Sequence, residues 1–343
     1  MSAKGLLLIN LGSPVSTSRR DVKRYLDEFL MDPLVIDIPY PLRWLLVHAI
    51  ITPFRAGKSA HAYEAIWTKN GSPLTHFTRE FCVKVKEEVS TTWDVRWGMR
   101  YGEPSLSRAV RDWAVDEIYV VPLYPQYAES SSRTAIDRAV EVIRKSRGVD
   151  KQIYVLKDFY NSPEFIEAQA RQISKHYLTF KPDRLLLSFH GLPEHHMTKL
   201  HPQHCLQSNQ CCEAIGANNR YCYRAQCLST ASALRTRLGL DPKQVTVSFQ
   251  SRLGRRPWIK PYTDLVIAEL VNEGVKRVLV SCPSFVADCL ETLEEVEIRL
   301  RLQFIALGGQ DLQLVPAVNA EDHWVKSFGS MVSRPDLAWQ AVK

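Results

Sequence analysis

Leu6-Leu7-Leu8-Ile9-Asn10-Leu11-Gly12-Ser13-Pro14 and Leu185-Leu186-Leu187-Ser188-Phe189-His190-Gly191-Leu192-Pro193 share one design. Each opens on an apolar run without strict polar alternation, the pattern of a strand buried on both faces. Each then turns through Gly-x-Pro, where glycine frees the backbone and proline fixes the turn. The likeness continues in the same order along the chain: 95–104 (VRWGMRYGEP) corresponds to 248–257 (SFQSRLGRRP), and 120–130 (VVPLYPQYAES) to 280–291 (VSCPSFVADCLE). Three ordered pairs imply two similar Rossmann-like α/β domains, each a parallel sheet flanked by helices. In doubly wound sheets ligands bind beyond the carboxyl ends of the strands, so the paired loops are expected to line a cleft between the domains, with the active site in it.

Working outward, short β-branched or leucine-rich runs at 5–11, 95–101, 117–123, 152–156, 184–189, 245–249, 277–282 and 312–315 alternate with amphipathic stretches. This rhythm predicts parallel strands joined by crossover helices, among them 163–177 and 263–273. Ser162 is placed as the N-cap of the first, with Pro163 at its first position. We expect one domain over 1–160, a second over 161–315, and a segment 316–343 that packs back on the first.

The chain has 343 residues, 45% hydrophobic and 24% charged, with a net charge of +7. Its basic residues are scattered and lack the stacking aromatics of RNA-binding modules, so nucleic acid is not an expected partner. The opening MSAKGLLLINLGSP lacks the layout of a signal peptide, and the apolar patch around Trp44 is far shorter than the ~20 residues of a bilayer span. A cytoplasmic protein is expected. Eight cysteines in such a chain point to metal or redox chemistry rather than disulfides.

His190 stands at the end of a buried strand, beside a turn. Asp288 reads as the N-cap of a following helix that carries Glu291 and Glu295 at offsets of three and four, on one face. With His190 these carboxylates form a constellation for proton transfer or cation guidance. Tyr124 and Trp258 lie just beyond strand ends, where large rings form a flat apolar slot or plug the core. Arg100 and Tyr101 close another strand, and a guanidinium there can pair with a substrate carboxylate or with a structural one.

Taken together, SFHGLP, FVADCLETLEE after a CP turn, YPQY, the segment Gly98-Met99-Arg100-Tyr101 and QSRLGRRPWIKPYTD resemble the ferrochelatases over nearly the whole chain. The resemblance implies insertion of ferrous iron, as substrate, into a porphyrin, with protoporphyrin IX favoured over coproporphyrin III. It places the catalytic base on His190 and the opposing acid on Glu291, the pair that also meets the incoming Fe²⁺. It places a backing ring on Phe285, the proton or metal path on Asp288 and Glu295, and porphyrin contacts on Tyr63, Arg100, Tyr101, Tyr124 and Trp258. Cys289 stands where animal members have histidine, so no metal-relay role is carried to it. Residues from about 32 to 63 resemble the family's lid. Their apolar, basic-flanked character admits peripheral contact with the inner face of the cell membrane, and the sequence is compatible with a homodimer.

Cys205, Cys211, Cys212, Cys222 and Cys227 form an insertion over 205–227. Four thiolates suit a structural zinc or a [2Fe-2S] cluster, and the lack of any C-x₂-C knuckle favours the cluster. Some bacterial ferrochelatases resemble this chain in carrying an internal cysteine group, which implies [2Fe-2S]. Cys205, Cys212, Cys222 and Cys227 are the expected ligands, with Cys211 as the substitute for Cys212. Two other functions fit parts of the pattern. A sirohydrochlorin or cobalt chelatase would share the fold but should show metal-binding histidine pairs. A porphyrin or heme carrier with an iron–sulfur sensor would not need both His190 and Glu291.

Overall fold

A computed structural model of the chain describes residues 4–89, 93–146, 151–203, 205, 208, 210–252 and 256–342. They form two compact units, one built from 1–124, 129–158 and 320–343, the other from 125–128 and 159–319.

The first unit holds β1 (Lys4–Asn10), β2 (Trp93–Met99), β3 (Glu117–Pro122), β4 (Gln152–Val155) and β9 (Gln340–Val342). Their order is β2-β1-β3-β4-β9, parallel throughout except for β9, which runs antiparallel to β4. Leu6 to Ile9 are fully buried because β1 is central and covered on both faces. The core on one face joins Leu7 and Ile9 to Val120, Val142, Ile143 and Ile153. Elsewhere in this unit the helix Asp322–Ser333 sets Trp324 and Phe328 against Phe81 of the helix Pro73–Glu88, with ring centroids 5.7 and 5.1 Å apart.

The second unit holds β5 (Arg184–His190), β6 (Val245–Gln250), β7 (Arg277–Ser281) and β8 (Asp311–Leu314) in the all-parallel order β6-β5-β7-β8. This is the order of the first unit strand for strand, which gives the internal repeat its structural meaning. All eight expected strands are present within one or two residues of their anticipated ends. The helices Pro163–Phe180 and Thr263–Asn272 occupy the two anticipated crossovers. Ser162 does sit at the N-cap, but its hydroxyl hydrogen-bonds the Glu164 carboxylate and caps no backbone amide.

Two findings correct the sequence reading. Cys289, not Asp288, is the N-cap of the short helix Leu290–Thr292. Asp288 precedes the helix and is buried among loop partners. From Leu293 to Leu300 the backbone winds as a π-helix, so the α-helical face drawn through Asp288, Glu291 and Glu295 does not exist in that form.

Candidate active site

His190 is the last residue of β5, in register with Gln250, the last of β6. The strand end is held tightly. The Gly191 amide donates to the Gln250 carbonyl at 2.7 Å, and a β-carbon on Gly191 would stand 2.6 Å from that oxygen. Trp258 lies over the same glycine, 3.3 Å from the position of that β-carbon, and pairs with Pro193 through an isolated bridge. The His190 ring meets Phe285 edge to face with centroids 6.2 Å apart, so the expected backing ring is in contact with the histidine.

The buried amide of Gln250 connects β5 to the acidic segment. Its Oε1 accepts from Ser188 Oγ at 2.7 Å, and its Nε2 donates to the Glu291 carbonyl at 2.8 Å. Glu295 is anchored by Ser251, whose amide and hydroxyl donate to its two oxygens at 2.8 and 2.6 Å. Ser251 has φ +68°, a left-handed conformation that costs a non-glycine residue about 1–2 kcal/mol. That strain aims both donors at one carboxylate. Burial raises the Glu295 pKa, while Ser251 and the charge of His190 oppose the rise and Glu291 adds to it. His190, Glu291 and Glu295 thus share one electrostatic neighbourhood within this unit, with Phe285 on the histidine ring. Gln250 and Ser251 were missed in the sequence because their roles depend on strand register and on one positive φ.

Asp288 belongs to a separate set of bonds: Thr292 Oγ1 at 3.0 Å and the Ala317 amide at 3.2 Å donate to one oxygen, and Asn319 Nδ2 at 2.7 Å to the other. Burial still raises its pKa, with these three donors pulling the other way. A carboxyl whose folded pKa is raised contributes stability that is fully present below its unfolded value and lost as pH rises through the folded one. Asp288→Asn should therefore remove part of the decline in urea midpoint with rising pH on the acid side of neutrality. An identical slope in both proteins would show that Asp288 ionises without cost.

Four expected substrate residues lie in the first unit. Arg100 and Tyr101 follow β2 and converge on Asp32: Arg100 Nη2, Tyr101 Oη and Thr134 Oγ1 all donate to its Oδ2, at 2.5, 2.9 and 2.5 Å. Tyr101 is fully buried, so it serves to hold Asp32. Arg100 is mostly spent on Asp32 and Thr134, and a substrate carboxylate would compete with Asp32 for it. Tyr63 is buried edge-on between Tyr25 and Trp67. Tyr124, just past β3, differs from these three: its hydroxyl has no hydrogen-bond partner among the described residues, and Arg100 is close enough to act on it electrostatically. Asp32, the hub, is 68 residues from Arg100, and no local signal in the sequence marks it.

The family model that matches this chain is Ferrochelatase, over residues 3–335. The chain belongs to the ferrochelatase family. Ferrochelatase of Stutzerimonas stutzeri (strain A1501) is 48% identical, with 98% of this chain and 100% of that protein covered. Ferrochelatase of Pseudomonas aeruginosa (strain UCBPP-PA14) is 46% identical over 97% and 98%. Among solved structures, SirB from Bacillus subtilis with Fe³⁺ superposes with a TM-score of 0.52 at 13% identity, covering 96% of this chain and 94% of that one, a likeness of fold alone. The protein is accordingly an enzyme that inserts ferrous iron into a porphyrin.

This ferrochelatase also buries all five cysteines of its insertion. Hydrogen bonds link Cys222 to both Cys205 and Cys212, and Cys227 lies within electrostatic range of Cys222 and Cys212. The bond from Cys222 lowers the Cys205 pKa, and the Cys222 thiol, held by its bond to Cys205, rises to about 11. Cys211 and Cys212 have their sulfurs 3.6 Å apart. Among the described residues no group of three or more His, Cys, Asp or Glu is closed tightly enough to hold a metal ion as it stands. Nor, among those residues, is any helix long and apolar enough to cross a membrane.

Proposed function

We propose that His190 is the base that takes protons from the pyrrole nitrogens, with Glu291 as its acidic counterpart toward the incoming iron and protoporphyrin IX as the porphyrin. The observation that carries this is the strand-end geometry: His190 closes β5 with Phe285 on its ring, while its register partner Gln250 holds the Glu291 carbonyl and the next residue, Ser251, holds the Glu295 carboxylate. A porphyrin presents its nitrogens only in the ring plane and holds two N–H protons. Metallation therefore requires the ring to be distorted and the protons to be accepted. Phe285 and Trp258 supply rigid apolar surface for the first task, and His190 with the carboxylates serves the second. Asp288 and Glu295 are assigned to the proton or metal path. Tyr63, Arg100 and Tyr124 are assigned to the porphyrin, the Tyr124 hydroxyl having no hydrogen-bond partner among the described residues, and Tyr101, buried on Asp32, is assigned to it indirectly through the Arg100 that Asp32 places.

The same reading gives Cys205, Cys212, Cys222 and Cys227 a [2Fe-2S] cluster, with Cys211 as the alternative to Cys212. The donor set suits such a group: four buried thiols, with Cys222 acting on Cys205 and Cys212, and Cys227 within electrostatic range of Cys222 and Cys212. When bound, a cluster of this kind cross-links the segment and can exchange an electron. The test is anaerobic purification followed by visible spectroscopy of single Cys→Ser variants. Loss of the iron–sulfur bands in the variants at 205, 212, 222 and 227, with retention in Cys211→Ser, is expected. A colourless, zinc-containing protein would overturn the assignment.

Peripheral membrane contact is proposed for the helical run Tyr40–Leu45, Leu46–Ile51 and Thr52–Ile66. Tyr40, Leu42 and Phe54 are 61, 60 and 78% exposed, and Trp44, Leu45 and Ile50 are about half exposed, which does not fit a helix packed in a core. Co-sedimentation with anionic vesicles, lost on Phe54→Glu and Leu42→Glu, tests this. Unchanged sedimentation would remove the lipid surface from the account. Association into a homodimer also remains part of the proposal and is tested by light scattering.

A further inference from the structure

We infer that Tyr223 is a positioning residue that ties the cysteine segment to the strand end carrying His190, so that what the cysteines hold alters how His190 is held. This rests on the reading of His190 as the base. Tyr223 opens the helix Tyr223–Leu238 with Cys222 at its N-cap, and it is buried. Its hydroxyl donates to the His190 carbonyl at 2.8 Å and lies 3.1 Å from Ser284 Oγ. The Ser284 hydroxyl oxygen in turn accepts the His190 amide at 3.2 Å. The donor count closes: the tyrosine proton goes to the carbonyl, the serine proton to the tyrosine oxygen, and the His190 N–H to the serine oxygen. Both backbone groups of His190 are thereby held by side chains, and Ser284 is next in sequence to Phe285, whose ring meets the imidazole.

Cys222 caps the helix that Tyr223 opens, and Cys227 stands one turn further along it, so the cysteine segment and the His190 strand end meet at this tyrosine. A change in what Cys222 and Cys227 bind shifts the first turn of the helix and so loosens or tightens the hold on the His190 backbone. The linkage is short and wholly within one unit, and it needs no long chain of contacts.

Tyr223→Phe keeps the ring and removes the hydroxyl that holds the His190 carbonyl. The test combines this variant with Cys205→Ser, which disturbs the cysteine group without touching Tyr223, and reads amide hydrogen exchange of the peptide spanning 184–193 together with kcat and porphyrin KM. We expect Tyr223→Phe to lower kcat about five- to tenfold, in line with loss of one buried hydrogen bond, to leave KM within twofold, and to speed exchange at the strand end. Cys205→Ser should speed that exchange in the wild-type background and add nothing in the Tyr223→Phe background, because coupled residues are non-additive. Equal, additive effects of Cys205→Ser in both backgrounds, or a Tyr223→Phe protein identical to wild type, would overturn the inference. Ser284→Ala removes the same loop from the other side and should reproduce the kcat loss should Tyr223→Phe fold poorly; a silent Ser284→Ala would count against it. If His190→Ala is inactive while Tyr223→Phe is silent, only the coupling fails. If His190→Ala stays active, the reading of His190 fails instead.

Discussion

His190→Ala should lower the rate of metal insertion by about a thousandfold while the protein stays folded and still binds porphyrin. General base catalysis contributes roughly 10² to 10⁴ in rate, and His190 is the base through which the pyrrole protons leave in this account. The fold should survive because β5 is anchored by its backbone: the His190 amide and carbonyl are held by Ser284 and Tyr223, and the next amide by Gln250. None of these bonds uses the imidazole. Porphyrin affinity should change only a few fold, since the apolar surfaces of Phe285 and Trp258 are untouched. Stopped-flow metallation beside porphyrin fluorescence titration separates the two quantities. A variant with near-normal turnover would remove His190 from the chemistry, and one that has lost porphyrin binding would recast it as a binding residue.

Gly12→Ala should be the most damaging small substitution in the first unit. Gly12 ends the turn after β1 with φ +112°, and a β-carbon there would stand 1.8 Å from the Tyr101 carbonyl oxygen. Both terms act together. The conformation is one that side chains avoid, and the overlap is with backbone, which cannot swing aside. The combined cost should be about 3 kcal/mol or more. Displacing Tyr101 also disturbs the Asp32 hub and so the placement of Arg100. Gly57→Ala is the control. It lies on an exposed helical face with nothing within 4 Å of the new methyl, so alanine should be neutral or should stabilise by up to about 1 kcal/mol. Urea denaturation of both variants decides the matter, and a Gly12→Ala protein as stable as wild type would mean that the turn relaxes freely.

Much of the fold could be read from the chain because parallel strands buried on both faces leave unbroken apolar runs, and because the runs recur in the same order in both halves. The strand β9 escaped notice for the opposite reason: Gln340-Ala341-Val342 is short, antiparallel and without a distinctive pattern. The candidate site could be named from the chain where its residues sit at a strand end or on a motif, as with His190, Phe285, Glu291 and Glu295. It was not legible where function depends on partners far apart in sequence. Asp32 meets Arg100, Gln250 reaches Glu291 and Tyr223 meets His190 only after folding. Asp288 was misplaced because a helix start was drawn one residue early, and its real partners, Ala317 and Asn319, lie about thirty residues downstream.

The most direct test of the central claim is anaerobic metal insertion by the purified protein with Fe²⁺ and protoporphyrin IX, followed through the porphyrin's visible bands. Conversion to the heme spectrum at a rate that depends on enzyme concentration, and that His190→Ala abolishes, is the predicted result. Tight porphyrin binding with no metallation under these conditions, or insertion that proceeds equally well without His190, would contradict the account.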